Sequence, residues 1–176
     1  MRPRSLRAKF LWGTLLVTAL VMTTVIVVVE QSERATIVVE FQRRGEVLAR
    51  NLAAISQGPL LLYNYTALEQ NVGQLATESD VVYVVVLDAD GRVAAHSRSP
   101  ERVGAVLQGA VHQWAAAASE PLTQETATAR GESVYDFAVP VLVDGRKWGT
   151  IRVGLSRQRM DAEIRKTRLE LGALTL

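Results

Sequence analysis

The chain has 176 residues, 48% hydrophobic and 22% charged, which excludes a disordered or collagen-like polymer and suffices for one packed core. It has no cysteine and two histidines, His96 and His112, which excludes disulfide scaffolds, cysteine-held metals, iron–sulfur clusters and thiol nucleophiles. Its 20 basic residues include Arg2, Arg4, Arg7 and Lys9, whereas all 18 acidic residues lie at or after Glu30, so the body beyond residue 9 has no basic surplus and nucleic acid is not an expected partner.

Phe10 to Val29 (FLWGTLLVTALVMTTVIVVV) is a run of 20 residues without a charge. A helix rising about 1.5 Å per residue makes this about 30 Å, the thickness of a bilayer's hydrocarbon core. A lone segment satisfies its backbone in lipid only as a helix. The basic tip, residues 1–9, should stay cytoplasmic, which puts the body outside. The competing reading is a cleaved signal peptide, but its apolar stretch runs only about 7–15 residues, and VVVEQSERA offers no A-x-A site.

Residues 30–58 read as a helix leaving the membrane. Glu30 to Gln57 has no proline and one glycine, Gly45, and Gly58-Pro59 is expected to end it. Phe41, Leu48 and Ile55 recur at steps of seven, with Val38, Gly45 and Leu52 on the next stripe. This face either packs on its own domain or meets a second copy in a parallel homodimer. Glu40–Arg44 and Glu46–Arg50 are candidate i,i+4 ion pairs.

The body, residues 59–156, opens with a second helix over 66–79. Val81 to Leu87 (VVYVVVL) is a buried strand by its β-branched composition. Asp88-Ala89-Asp90-Gly91 resembles the start of a calcium loop, but its twelfth position is Ser99 rather than glutamate, so a hairpin turn into a strand over 91–96 is expected. A helix is expected over 103–118 and a polar edge strand over 122–129. Ser133 to Val143 reads as a long strand with Tyr135, Phe137, Val139, Val141 and Val143 on one face. Its Pro140 marks an edge position or a bulge. Asp144-Gly145 signals a hairpin into a last strand over 147–155, with Trp148, Thr150, Arg152 and Gly154 on one side. Helical pattern returns over 157–176. The uncharged stretch Leu171–Leu176 reads as the opening of a second transmembrane segment in a longer protein. The implied fold is α+β: a five-stranded, mostly antiparallel sheet flanked by helices.

Three phrases carry a family resemblance: YVVVLDADGRVAAHS (83–97), PERVG (100–104) and YDFAVPVLVDGRKWGTIRVGLS (135–156). With the anchor and exit helix they resemble the extracytoplasmic single Cache domain, a PAS-like sensor of bacterial signal transducers such as sensor histidine kinases. The resemblance implies a bacterial inner-membrane protein, single-pass in this chain, whose periplasmic body binds a small molecule between sheet and loops and relays it through its terminal helices. It implies no cofactor and no catalysis in this chain, any kinase or diguanylate cyclase belonging to the parent protein. An anchored dimerisation or protein-interaction module is the alternative.

Citrate and dicarboxylate sensors of this group are similar around the second strand and PERVG, and hold carboxylates with cationic side chains, arginine being suited to a bidentate grip. Here Val93 and Asp136 stand where two of those cations are expected. The ligand class therefore stays open among amines, amino acids and organic acids. Asp136 either meets a cationic ligand or pairs internally with Arg152 or Arg98. The candidate ligand residues are Tyr83, His96, Arg98, Tyr135, Asp136, Ala138 and Arg152. A hydrolase built on Ser97, His96 and Asp136 fails, because neighbours on one strand point to opposite faces.

Overall fold

The computed structural model describes residues 6–159 and 161–162. The chain divides into two compact units, Met1–Glu40 and Phe41–Leu176. Helix α1, Leu6–Leu61, contributes to both.

In the first unit the side chains from Trp12 to Val25 are exposed, including Trp12 (71%) and Leu16 (68%). Thr18, Thr23 and Thr24 donate their hydroxyls to carbonyls four residues back at 2.8, 2.8 and 2.9 Å, so their polar atoms are satisfied inside the helix. Among the described residues no helix is long and apolar enough to cross a membrane. The expected span Phe10–Val29 falls partly on Phe10, Leu11 and residues 26–29, whose side chains lie outside the described set.

The second unit is built on one antiparallel sheet. Its strands are β1 (Val81–Asp88), β2 (Val93–His96), β3 (Leu122–Ala127), β4 (Ser133–Val143) and β5 (Arg146–Ser156), in the order β2-β1-β5-β4-β3. The five strands and flanking helices match the expected class. On one face lies α1, which buries Gly45, Ala49, Leu52, Ala53, Ser56 and Leu60. Gly45 and Leu52 belong to the second stripe expected from sequence, whereas the larger side chains of the first stripe sit beside the contact. Ile55 is 56% exposed, and Phe41 and Leu48 are half-buried. The small side chains let the helix axis come close to the sheet: a Cβ at Gly45 would overlap the Phe137 ring. Phe41 meets Tyr135 edge-on, ring centroids 6.2 Å apart. Glu46 and Arg50 pair at 2.6 Å, whereas Arg44 turns to Glu78 and Asp80 at 3.3 and 3.0 Å.

Pro59 does not stop α1, since only its own N–H is missing and the next turn closes behind it. Tyr63 does, with φ +52. The N–H groups of Tyr63 and Asn64 donate to the carbonyls of Leu60 and Pro59 at 3.3 and 2.8 Å, a Schellman ending. Asn64 then caps α2 (Tyr65–Leu75) by accepting from the Ala67 N–H at 3.1 Å.

The helix expected over 103–118 is corrected. Pro100–Arg102 is a 3-10 turn, and α3 is confined to Ala110–Ala117. Gly104 and Gly109, at φ +85 and +110, break the helix. The chain between them pairs with β2 instead: the Gly104 N–H donates to the Val93 carbonyl and the Val93 N–H to the Ala105 carbonyl, at 2.8 and 2.9 Å. Pro140 lies beyond the paired length of β3, where β4 has a neighbour only in β5. The residues after β5 are helical at 157–159 and 161–162; the helix expected onward to Leu176 lies outside the described residues from 163.

Candidate functional site

The sheet face turned away from α1 carries a buried polar cluster. Arg152 on β5 is 1% exposed and Asp136 on β4 is 0% exposed. They pair through Arg152 Nη2 and Asp136 Oδ2 at 2.7 Å, with Nε 3.2 and 3.3 Å from the two carboxylate oxygens. Tyr83 on β1 donates its hydroxyl to Asp136 Oδ1 at 2.8 Å, and Gln124 on β3 donates to Oδ2 at 3.1 Å. Burial and the Asp136 charge push the Tyr83 phenol far above its usual value, so it stays a proton donor. Tyr83 reaches Asp136 only by crossing β5, and Gly154 makes room: a Cβ there would lie 2.5 Å from the Tyr83 ring. The pair Tyr83–Gly154 is in register across β1 and β5.

Over this cluster lies α3. Arg152 Nη1 bonds His112 Nδ1, and Gln124 donates to the Val111 carbonyl at 3.0 Å. At the other end of α3, Lys147 of β5 donates to the carbonyls of Ala116 and Ala118, a cation on the helix C-terminus. Burial holds the Lys147 ammonium below its ordinary value. The helix is thus tied to the sheet at both ends by polar side chains.

A cavity of about 280 Å³ opens between sheet, α3 and the loops. Arg152 and Tyr83 reach it from the sheet, Arg98 and Arg102 from the loop after β2, His112 from α3 and Arg130 from the β3–β4 turn. His96, Ser99, Thr126 and Thr128 complete the polar lining, and no carboxylate lines the cavity. Arg98, Arg102 and Arg130 make no ion pair among the described residues. His96 Nδ1 accepts the N–H groups of Arg98 and Ser99 at 3.1 and 3.2 Å, which leaves the ring proton on Nε2. Burial, then the Arg102 charge, lowers the His96 pKa; burial, then Arg152, lowers that of His112. Both rings are therefore neutral donors at neutral pH. Among the described residues no cluster of acidic, histidine or cysteine side chains could hold a metal.

A model of the family described as single Cache domain 3 matches residues 32–168. The chain belongs to that family. This Cache domain is similar in fold to the sensor domain of E. coli DcuS, at 16% identity and TM-score 0.57, over 70% of this chain and 93% of that one. It is also similar to the sensor domain of the V. cholerae histidine kinase DctB, at 13% identity and TM-score 0.60, over 73% of this chain and 54% of that one. The sensory domain of the Campylobacter jejuni chemoreceptor Tlp3, solved with isoleucine bound, is similar at 11% identity and TM-score 0.54, over 71% of this chain and 56% of that one. The chain thus spans about half the length of the second and third. No curated protein matches it in sequence.

Of the residues singled out from sequence, the Cache fold brings Tyr83, His96, Arg98 and Arg152 to the cavity wall. Asp136 sits behind that wall, fully buried beneath Arg152. Ala138, opposite Arg152 across β4 and β5, is buried within the sheet. Tyr135 lies on the other face, against Phe41, with the Arg157 guanidinium 5.9 Å from its ring centroid. Arg102, Arg130 and His112 escaped the reading of the sequence. Arg102 stood inside the PERVG phrase that carried the resemblance, which was the available signal. Arg130 comes from a turn whose polar residues look like ordinary surface, and His112 from a helix placed too long.

Proposed function

We propose that the chain is the extracytoplasmic input module of a membrane-anchored signal transducer, a sensor histidine kinase of a two-component system, and that its ligand is a small organic anion. The observation that carries the ligand class is the cavity lining of three guanidiniums without a counter-ion among the described residues, Arg98, Arg102 and Arg130, with Arg152 behind them already paired to Asp136 and no carboxylate on the cavity wall. Of the ligand classes open from sequence, the organic acid is favoured over the amine. Asp136, the carboxylate that would meet an amine, is saturated by Arg152, Tyr83 and Gln124 and has no exposure to offer. Arginine grips carboxylates through paired N–H donors, and neutral Nε2–H groups on His96 and His112 add uncharged donors.

The reading of the bilayer as partner rests on the uncharged run Phe10–Val29 behind a basic tip and on the exposed apolar side chains between Trp12 and Val25. The positive-inside rule leaves the basic tip in the cytoplasm and carries the body across, into the periplasm if the membrane is a bacterial inner membrane. A second copy of the chain would pack along α1, where Val47 (46%) and Ile55 (56%) stay exposed. Arg98 and Arg102 sit on one loop, Arg130 on a hairpin, and Arg152 on the strand that runs directly into residues 157–162. An anion drawing these together moves β5 and the helix that follows it, which is the route of the signal.

The test is thermal unfolding of the full chain in detergent with citrate, succinate, phosphate, alanine and putrescine. A ligand present at 100 times its Kd adds about 2.7 kcal/mol of stability. A carboxylate should raise the melting temperature, and the rise should vanish in an Arg102→Gln, Arg130→Gln variant. Stabilisation by putrescine alone would overturn the ligand class. A reporter fused after Gln57 that proves cytoplasmic would overturn the topology.

A further inference from the structure

A second cavity, of about 200 Å³, shares no lining residue with the first. Its floor is apolar, formed by Leu60 and Leu68 at 5% and 0% exposed. Its walls are Tyr63, Tyr65 and Trp148, from the α1–α2 junction and the start of β5. Asp88 and Asp90 of the β1–β2 turn and Arg146 of the β4–β5 hairpin complete it.

Asp88 and Arg146 are held in place, and none of the three charges is spent on another. Asp88 Oδ1 accepts the N–H groups of Asp90 and Arg92 at 2.9 and 2.8 Å, which fixes the carboxylate and leaves Oδ2 without a partner among the described residues. Asp90 makes no ion pair among the described residues. Arg146 pairs with neither aspartate; its guanidinium lies over the Trp148 ring, 5.0 Å from the centroid. Of these three charged side chains, the β1–β2 turn uses only Asp88 Oδ1, beside its backbone bonds from the Asp88 N–H to the Arg92 carbonyl and from the Gly91 N–H to the Asp88 carbonyl. The cavity therefore presents two carboxylates, one guanidinium and three aromatic rings around an apolar floor. A simple anion entering it meets the aspartates, and a simple cation meets Arg146. A molecule carrying both charges satisfies both.

We propose that this cavity binds a small organic zwitterion, its ammonium on Asp88 and Asp90, its carboxylate on Arg146, and its carbon skeleton against Tyr63, Tyr65 and Trp148. The site is separate from the anion cavity, and the two can be loaded together.

The test is calorimetric titration of the full chain in detergent, and of its Arg102→Gln, Arg130→Gln variant, whose other cavity no longer takes carboxylates, with L-alanine, L-2-aminobutyrate and 4-aminobutyrate, and with n-butylamine and n-butyrate as matched single charges; zwitterion, amine and acid are ranked in that variant. At least one zwitterion should bind saturably, and the amine and the acid at least tenfold more weakly. Asp88→Asn keeps the Oδ1 acceptor and hence the turn, so it tests charge without unfolding the hairpin. Asp88→Asn and Arg146→Gln should each weaken the zwitterion at least tenfold, while Arg102→Gln in the other cavity leaves it unchanged. No zwitterion binding, equal binding of n-butylamine or n-butyrate, or loss with Arg102→Gln but not Asp88→Asn would each overturn the proposal. The anion reading is scored on the other cavity's variants, so either can fail alone.

Discussion

Replacing Asp136 with alanine should destabilise the domain more than any other single polar substitution on the sheet. The carboxylate accepts from Arg152 Nε and Nη2, Tyr83 Oη and Gln124 Nε2, all on oxygens with no access to water. Alanine leaves a guanidinium that is 1% exposed without its counter-ion. Removing one partner of a buried pair costs about 3–5 kcal/mol, because the remaining charge stays desolvated. At about 4 °C per kcal/mol for a body of this size, the melting temperature should fall by about 12–20 °C. Removing both charges, Asp136→Leu with Arg152→Met, should recover most of that loss, since an apolar replacement of the pair is close to neutral. Urea denaturation of the wild type, the single variant and the double variant separates the cases. A loss below about 1 kcal/mol for Asp136→Ala, or a double variant as unstable as the single one, would refute the description of Asp136 as a structural counter-ion.

Each of Arg98, Arg102 and Arg130 changed to glutamine should weaken a bound carboxylate by about tenfold to a hundredfold, the range of one charge-assisted hydrogen bond, as read by titration calorimetry. Gly154→Ala pushes a methyl into the Tyr83 ring and should cost about 1–3 kcal/mol, with Tyr83 moved off Asp136 in the variant's crystal structure. The lowered pKa values of His96 and His112 mean that the unfolded chain, titrating near 6.5, takes up protons first. Their contribution to stability is complete above about pH 6.5 and is lost as the pH falls through the lower folded values, so the urea midpoint should drop between pH 7 and pH 5. His112→Asn, which keeps an acceptor for Arg152, should flatten that slope. Lys147→Met removes both bonds to the end of α3 and should speed amide exchange across residues 110–117.

The strands were legible because their composition and turns agree: β-branched runs, Asp88–Gly91 and Asp144-Gly145 bracket β1, β2, β4 and β5 nearly to the residue. The helices were less so. The stripe of Phe41, Leu48 and Ile55 was visible because those residues are large, but α1 seats on the sheet through Gly45, Ala49, Ala53 and Ser56, whose smallness is the point of contact. The region 103–118 has helical composition, and its tertiary pairing with β2 decides otherwise at Gly104 and Gly109. Tyr83 and Arg152 of the cavity lining could be named from strand periodicity, since alternate strand residues share a face. His96 ends β2 and Arg98 follows two residues later. Arg130 and His112 reach the cavity through loop geometry, which a linear pattern does not encode. The second cavity draws on a helix junction and two hairpins far apart in sequence, and no local pattern announces it.

A structure of the domain crystallised with a stabilising carboxylate, solved beside the Arg102→Gln, Arg130→Gln variant, tests the ligand reading most directly. The account predicts density for the acid within hydrogen-bond distance of Arg102, Arg130 and Arg152, with Asp136 still paired to Arg152, and an empty cavity in the variant. A ligand held by Asp136 in place of Arg152, or one seated identically in the variant, would contradict it.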